Sequence, residues 1–400
     1  MQIPQGYISS DLGIIPEDWE VKKLRCFLNL LTDYDANGSF ADMAANVITY
    51  ESPNYAWYVR ATDLEQNTPL SQVHYTDKES YQFLKKSSLH GGEVLIAKRG
   101  DIGKVYLFKM KTARATVGPN LYLLKLNDSI CPDYLFFFFK SATGQKLLKG
   151  INASTSLGAI YKEDVKNLDI IYPPLDEQSR IVSAISEIGE LIAGLGNQID
   201  KKRQIKEGAM QQLLTGKTRL PGFSQSWVKR KIGDICSCER GTMLTSDQYK
   251  SGNIPVIAGG KMPAGYHNEA NRQGVSITVS CSGASAGYVA KYDIPIFATD
   301  CFTIGESEHY NVNYIFYILQ HYQKQIYMLQ TGGAQPHVHP KDLNPFEVLY
   351  TDSKEEQNAI AQILSDMDDE IYQLESERDK YTLIKQGMMQ ELLTGKTRLV

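Results

Sequence analysis

The chain has 400 residues, of which 42% are apolar and 22% charged, and its formal net charge is −4. One hydrophobic core rarely organises so long a chain, so two or more domains are expected, and without an apolar run of about 18 residues a membrane-spanning helix is excluded. Six cysteines without a paired spacing, and an opening that lacks a secretory-signal pattern, predict a cytoplasmic protein with reduced thiols.

The charge is unevenly distributed along the chain. Residues 85–150 contain twelve Lys and Arg against four Asp and Glu, a local excess of +8. Residues 228–345 contain ten against nine, and residues 355–400 contain five against ten. A strongly positive region suits phosphate groups, so the first half of the chain gives the clearer electrostatic signal for nucleic acid.

Residues 1–175 are predicted to form a first globular head of the α+β class with a β core. Short runs of β-branched and aromatic residues between Gly, Asn and Asp turns predict strands, at 57–60, 94–97, 105–108 and 120–124. One helix is predicted around residues 131–149.

Two polar loops of this head are candidates for DNA contact. The first loop, residues 98–104, places two glycines between cations, which lets a backbone come close to a duplex. We expect Arg99 to contact a base and the cations beside it to contact phosphates. The second loop is Asn152-Ala-Ser-Thr-Ser156, together with Tyr161 and Lys162. An ordinary solvated β-turn is the alternative interpretation of each loop. The predicted DNA-binding residues of the first head are Lys98, Arg99, Lys104, Asn152, Thr155, Tyr161 and Lys162.

Residues 176–220 are predicted to form a long helix. Apolar residues recur there at alternating steps of four and three, the spacing of a coiled-coil seam. An amphipathic helix lying on a globular core is the alternative. The predicted seam consists of Ile181, Ile185, Ile188, Ile192, Leu195 and Ile199.

Residues 221–352 are predicted to form a second head that repeats the first less closely. Trp227 begins a short match to the sequence around Trp19, and polar loops recur at corresponding positions. The predicted DNA-binding residues of the second head are Lys261, Tyr266, His267, Asn268, Gln335, His337 and His339.

Residues 353–400 are predicted to form a second long helix that repeats the first without gaps. The octapeptide Leu-Leu-Thr-Gly-Lys-Thr-Arg-Leu occurs at 213–220 and again at 392–399, an offset of 179 residues. Neither helix could bury its seam alone, so we expect the two to pair as a coiled coil and the ends of the chain to lie close together. The second predicted seam consists of Ile360, Leu364, Met367, Ile371 and Leu374.

Several short motifs suggest catalysis or metal binding, but they lack the residues or the spacing that these functions require. Gly-Lys-Thr at 216–218 and 395–397 lacks the earlier glycine of a phosphate-binding loop, since Gln211 and Gln390 stand there. The Cys236-Ser-Cys238 and His337-Val-His339 spacings are not those of common zinc sites. We therefore predict no catalytic site, no metal and no cofactor on this chain.

The combined pattern resembles the specificity subunit of a type I restriction–modification system. The resemblance rests on Ile15-Pro-Glu-Asp-Trp19, on Pro-Pro-Leu-Asp-Glu-Gln178, on both Leu-Leu-Thr-Gly-Lys endings, and on the glycine-rich loops that contain Lys261 and His337. It implies two target-recognition domains held apart by an antiparallel coiled coil of two long helices, with a pseudo-two-fold internal repeat. Each domain would read one half of a bipartite, asymmetric DNA sequence.

The resemblance also implies partners that perform the chemistry. Two modification subunits would bind S-adenosylmethionine and methylate adenine, and restriction and translocase subunits would use Mg²⁺ and ATP. One departure concerns the second head, where Ser282 stands at the position of Arg99. Two other functions remain open from the residues alone: a coiled-coil adaptor that joins two proteins, and a solitary DNA nuclease or methylase.

Overall fold

The computed structural model of the protein describes residues 3–152 and 158–399. The chain divides into two compact units, of which unit 1 comprises Met1–Gly194 and Arg378–Val400, and unit 2 comprises Leu195–Glu377. The division falls inside both long helices, because each half of a helix packs on the head beside it. Within the described residues, no helix combines the length and the apolar character needed to cross a membrane.

In the described part of unit 1, the head has thirteen strands and six short helices. The strands are β1 (Tyr7–Ser10), β2 (Gly13–Pro16), β3 (Glu20–Lys23), β4 (Leu28–Asp33), β5 (Thr49–Tyr50), β6 (Ala56–Val59), β7 (His74–Thr76), β8 (Ser88–Leu89), β9 (Val94–Ala97), β10 (Val105–Leu107), β11 (Ala115–Val117), β12 (Leu121–Leu126) and β13 (Asp169–Tyr172). The helices are α1 (Phe40–Asn46), α2 (Ala61–Glu65), α3 (Lys78–Phe83), α4 (Pro132–Lys140), α5 (Ala142–Gly150) and α6 (Lys162–Lys166), with 3-10 turns at Leu24–Phe27, Tyr34–Asn37 and Lys85–Ser87.

Two sheets organise this head. An antiparallel sheet has the order β10-β9-β12-β4, and a mixed sheet has the order β5-β7-β6-β11-β8, in which β6 and β11 run parallel. The predicted strands at 57–60, 94–97, 105–108 and 120–124 correspond to β6, β9, β10 and β12, within two residues at each end.

The single helix predicted around residues 131–149 is two helices, which corrects that prediction. Ser141 has extended backbone angles (φ −70°, ψ 164°), and its hydroxyl accepts the Gly144 N–H at 3.2 Å as the N-cap of α5. A Cβ on Gly144 would lie 2.1 Å from the Phe138 carbonyl oxygen. The close turn between α4 and α5 therefore requires this glycine.

The head of unit 2 repeats this architecture in a shorter form. Its strands are β14 (Val228–Lys231), β15 (Glu239–Arg240), β16 (Ile254–Ile257), β17 (Gly265–His267), β18 (Ser276–Ser280), β19 (Val289–Tyr292), β20 (Phe297–Ala298), β21 (Cys301–Ile304) and β22 (Glu347–Tyr350). Its helices are α8 (Ile232–Ile235), α9 (Val312–His321), α10 (Gln323–Tyr327) and α11 (Pro340–Leu343), with a 3-10 turn at Ser246–Gln248.

The sheets of the two heads correspond strand by strand. The order β19-β18-β21-β15 matches β10-β9-β12-β4, and the order β17-β16-β20 matches β7-β6-β11, again with one parallel pair. The additional strands of the first head are β1, β2, β5 and β8. The internal repeat predicted from the sequence is therefore confirmed at the level of topology.

Two helices of 39 residues each, α7 (Leu175–Leu213) and α12 (Lys354–Leu392), contribute to both units. In unit 1, Ile181 and Ile185 of α7 share a core with Leu392 at the end of α12. In unit 2, Lys206 of α7 bonds Asp368 of α12. Residue numbers rise on one helix as they fall on the other in each unit, so the pairing is antiparallel. All eleven predicted seam residues are buried or half-buried.

An equivalent cluster of one Glu, one Trp and one Arg lies at the end of the helical pairing in each unit. In unit 1, the buried carboxylate of Glu177 accepts the Trp19 indole N–H at 2.9 Å and pairs with the Arg398 guanidinium at 2.7 Å. Glu356, Trp227 and Arg219 repeat this arrangement in unit 2, with distances of 3.2 and 2.8 Å.

The ends of the chain lie close together in unit 1, as the sequence predicted. Besides Glu177, Arg398 bonds Asp18 at 2.8 Å, and the Tyr7 hydroxyl donates to the Gly395 carbonyl at 3.1 Å.

Candidate nucleic-acid interface

In the first head, the loop between β9 and β10 is fixed by backbone hydrogen bonds to the segment that precedes α6. The Gly100 N–H donates to the Gly158 carbonyl at 3.0 Å, and the Ile160 N–H donates to the Lys98 carbonyl at 3.2 Å. A Cβ on Gly158 would lie 2.5 Å from the Gly100 carbonyl oxygen, and Gly100 has a φ of 82°. The two glycines therefore let the chain segments approach closely enough to hold Arg99 at the surface.

The Arg99 side chain is exposed, and it forms no hydrogen bond or ion pair with the described residues. Tyr161, two residues after the backbone bridge that joins Arg99 to Ala159, is 61% exposed. A guanidinium with unpaired donors and a phenol are thus presented together at the surface of this head.

Lys98 lies beneath the loop, which corrects the expectation that it is a free phosphate ligand. Its side chain is 7% exposed, and its ammonium group bonds Asp33 at 2.8 Å and Asp35 at 2.5 Å. The Asp33 carboxylate also pairs with Lys162 at 2.7 Å. Burial would raise the pKa of Asp33, but the hydrogen bonds from Lys162 and Lys98 outweigh it, and the pKa is lowered.

The other predicted residues of this head are Lys104, Asn152 and Thr155. The ammonium group of Lys104 is half-exposed and pairs with Glu65 and, at 2.6 Å, with Asp101. The Asn152 side chain accepts the Ala159 N–H at 3.0 Å, so it supports the loop. Thr155 lies outside the described residues.

The second head builds the equivalent loop on the same backbone hydrogen bonds. The Gly283 N–H donates to the Pro336 carbonyl, and the Val338 N–H donates to the Cys281 carbonyl, both at 3.0 Å. The backbone bridge between Ser282 and His337 corresponds to the one between Arg99 and Ala159. Ser282 therefore occupies the position of Arg99, and His339 occupies that of Tyr161.

The side chains on this shared backbone differ between the heads. Ser282 donates to the Asp300 carboxylate, while His339 bonds Arg240 at 3.0 Å and its ring stacks on that of His337 with centroids 5.8 Å apart. In the described part of the chain, no third His, Cys, Asp or Glu joins this histidine pair to form a metal-binding group.

Strand register shows that Arg240 replaces Asp33. Arg240 is opposite Phe302 in the β15–β21 pair, as Asp33 is opposite Tyr122 in the β4–β12 pair. The first head thus has a buried carboxylate beneath its loop, whereas the second has an exposed guanidinium at the equivalent strand position. Sequence reasoning missed Asp33, Arg240 and Asp300, because these residues reach the loops only through strand pairing.

Among the other predicted residues of the second head, His267 is placed in the interior, which corrects its assignment to a DNA-contacting surface. It is 5% exposed, its Nδ1 accepts the Lys250 N–H at 3.0 Å, and its ring packs on Phe297. The exposed residues are Lys261, which lies 5.5 Å from the Tyr288 ring, Tyr266, Asn268 and Gln335.

The predicted seam residues are buried or half-buried, and Ile181, Ile185, Ile360 and Leu364 lie in the hydrophobic cores. A separate set of apolar side chains faces outwards on these helices and is exposed to between 38% and 69%. The set comprises Leu175, Leu191, Ile205, Tyr372, Leu383 and Ile384.

The family described as "Type I restriction modification DNA specificity domain" matches residues 16–202 and 224–381. The two matches together cover most of the chain, and each contains one head and part of a long helix. The chain belongs to this family.

Two relatives that match over nearly their whole length are named type I specificity subunits. This specificity-domain protein is 25% identical to the putative type I restriction enzyme MjaX specificity subunit of Methanocaldococcus jannaschii, over 99% of this chain and 97% of the relative. It is 22% identical to the MjaVIII specificity subunit of the same organism, over 96% and 94% of the two chains.

Two solved structures share the fold of this specificity-domain protein. The type I restriction–modification S subunit from M. genitalium matches with a TM-score of 0.65 and 17% identity over 98% of both chains. A chain from a structure of type I R-M complex assembly and conformational transition matches with a TM-score of 0.56 and 16% identity, over 96% of this chain and 99% of the other.

Proposed function

We propose that this chain is the DNA-recognition subunit of a type I restriction–modification complex and that each head reads one half of a bipartite, asymmetric target. The observation that carries the proposal is the pair of equivalent loops, which share backbone hydrogen bonds and differ in side chains. A shared backbone gives both heads the same approach to a duplex, while different side chains give each head its own base preference.

The first head has the side-chain chemistry for a purine contact. The Arg99 guanidinium can donate two parallel hydrogen bonds to O6 and N7 of guanine in the major groove. The exposed Lys140 and Lys149, which line a pocket with residues 100–104, supply positive charge for the phosphates nearby. The paired Lys98 and Asp33 lie beneath this surface and hold the loop in place.

The second head reads with a different set of groups. Ser282, His337 and His339 present hydroxyl and imidazole groups that can both donate and accept, and Asp300 adds a carboxylate acceptor. A carboxylate suits the amino group of cytosine, and a hydroxyl suits several bases. The near-neutral charge of this head means that base contacts supply more of its binding than phosphates do.

The long helices scaffold the complex. Their outward apolar residues, such as Tyr372 and Leu383, are suited to docking two modification subunits, because large apolar side chains at a surface are common at protein interfaces. Those subunits bind S-adenosylmethionine and methylate adenine, and restriction and translocase subunits that use ATP and Mg²⁺ join them. The length of the helices sets the unread gap between the two half-sites.

Methylome sequencing tests the proposal. Cells that express this chain with its modification subunits should methylate one two-part motif, and Arg99→Ala should relax one half of the motif and preserve the other. Lys78→Ala, which removes an exposed cation from α3, is the matched control and should leave the motif unchanged.

Three outcomes would contradict the proposal. Loss of both halves in Arg99→Ala would show that the heads do not read independently. Partner binding without any duplex preference would instead support a coiled-coil adaptor. Methyl transfer or DNA cleavage by the purified chain alone would support a solitary enzyme.

A further inference from the structure

Unit 1 contains a cavity of about 710 Å³ between its head and its parts of the long helices. Four aromatic side chains line it: Trp57, Tyr106, Phe136 and Phe137. Its polar lining includes five lysines and three carboxylates. The cavity therefore combines a large apolar wall with an excess of positive charge.

Two hydrogen-bond donors in this lining have no acceptor among the described residues. They are the indole N–H of Trp57, which is 2% exposed, and the hydroxyl of Tyr106. Buried donors are nearly always paired in folded proteins, since leaving them unpaired costs free energy. Both donor atoms are closed off from solvent, so they lie within the aromatic wall of the cavity.

Lys385, one of the five lysines, is half-buried in this lining. Its ammonium group lies 5.7 Å from the centroid of the Phe137 ring and forms no ion pair with the described residues. Burial lowers the pKa of this lysine. Lys104, by contrast, is already paired with Glu65.

The internal repeat provides a counterpart in which this lysine is neutralised. Lys206, 179 residues before Lys385, lies 5.1 Å from the Tyr317 ring of unit 2. Asp368 bonds the Lys206 ammonium group and also accepts the Tyr317 hydroxyl at 2.8 Å. Unit 2 therefore supplies its own carboxylate to the equivalent lysine.

Unit 1 has neither of these two groups. Gly189, at the same offset of 179, takes the place of Asp368, and Phe137 takes the place of Tyr317. A Cβ on Gly189 would lie 2.8 Å from the Lys385 ammonium nitrogen, so an aspartate at this position would be adjacent to the charge.

We propose that this cavity binds an acidic side chain, Asp or Glu, which an apolar segment of a partner protein carries, and that Lys385 pairs with its carboxylate. The aromatic wall covers the apolar residues that flank the acid. Asp368 indicates the chemistry, because a carboxylate occupies the equivalent position in the other unit. The cavity shares Lys104 with the loop at residues 98–104, whereas Lys385 lies on a long helix outside that loop.

Calorimetric titration of the full chain with three probes tests this assignment. The first probe is the peptide acetyl-Leu-Asp-Phe-amide, the second is its neutral Asn counterpart, and the third is inorganic phosphate. We expect the Asp peptide to bind about tenfold more tightly than the Asn peptide, since an ion pair with a desolvated lysine strengthens binding. We expect phosphate neither to bind measurably nor to compete with the Asp peptide.

Two variants locate the binding. Gly189→Asp copies the arrangement of unit 2, so it should occupy Lys385 internally and reduce affinity for the Asp peptide about tenfold. Lys385→Met should have the same effect by removing the cation. Gly208→Asp, which adds the same charge to the same helix in open space, should leave the affinity unchanged.

The assignment would be overturned by equal binding of the Asp and Asn peptides or by no binding of either. It would also be overturned if Gly189→Asp left the affinity unchanged. Competition by phosphate that disappears in Lys385→Met would make the cavity a nucleic-acid or nucleotide site instead. Circular dichroism of each variant establishes that a lost affinity is not a lost fold.

Discussion

At the scale of single residues, Asp33 is the group on which the first recognition loop depends. Asp33→Asn would leave the ammonium groups of Lys98 and Lys162 without their shared carboxylate, and Lys98 is almost fully buried. Removing one partner of a buried ion pair costs about 3 kcal/mol of unfolding free energy. Urea unfolding of the variant at pH 7 measures this loss, and Asp11→Asn, at an exposed position, is the control.

The same carboxylate predicts a dependence of stability on pH. The pKa of Asp33 is lowered in the folded protein, so its contribution is fully present above the unfolded pKa of about 3.9 and is lost as the pH falls through the folded value. The stability difference between the wild type and Asp33→Asn should therefore shrink as the pH is lowered below about 4. A difference that stays constant from pH 7 to pH 3 would contradict this account.

Residue roles were the part of the site that the sequence predicted least well. The loop that carries Arg99 could be found, because glycines and cations in one short segment indicate a backbone that approaches a ligand. The Lys98 side chain in the same loop is buried in the head, and its partner Asp33 lies 65 residues earlier in the sequence. Such assignments depend on strand register, which a single sequence does not specify.

At the scale of elements, the Lys206–Asp368 pair fixes the contact between the long helices in unit 2. Asp368→Ala would leave a partly buried lysine and the Tyr317 hydroxyl without their acceptor. We expect a loss of about 1–2 kcal/mol in unfolding free energy. Denaturant unfolding measures it, and Asp369→Ala, at the next and exposed position, should cost much less.

A double-mutant cycle separates the ion pair from other effects of that substitution. Lys206→Met removes the charge, so the cost of Asp368→Ala should fall by about 1 kcal/mol in the Lys206→Met background. An equal cost in both backgrounds would show that the pair contributes nothing.

The clusters at the ends of the helical pairing predict local protection of the two octapeptides. Arg398→Ala removes the guanidinium that ties residues 393–399 to Glu177, so trypsin should cut after Lys396 several-fold faster. Arg219→Ala should do the same after Lys217, because Arg219 bonds Glu356 in the same way. Mass spectrometry of timed digests gives both rates in each variant. An equal increase at both sites in one variant would contradict local anchoring.

The long helices were the most predictable elements, and the short helices of the heads the least. A seam that repeats over several heptads carries its own signal, and the exact octapeptide repeat indicated equivalent helix ends. The run Tyr134–Phe139, in contrast, is apolar on every side, so periodicity could not show where α4 ends. Its end depends on the cap at Ser141 and the close contact at Gly144.

At the scale of the whole molecule, the proposed function and the separate cores of the two units together predict that the heads act independently on a target. The recognition loops belong to different compact units and share no hydrogen-bond partner among the described residues. Substitutions without shared partners usually have additive effects on free energy, within about 0.5 kcal/mol. Base preference in one half-site should therefore be insensitive to changes in the other head.

The variants Arg99→Ala, His339→Ala and their combination test this independence. Each single variant, assembled with its modification subunits, should lose about 1–3 kcal/mol of discrimination at one half-site and none at the other. The double variant should lose both amounts together, as measured by binding to duplexes altered in one half-site at a time and at fixed salt concentration. If either single variant weakened discrimination at both half-sites, the two heads would be reading the duplex as one surface.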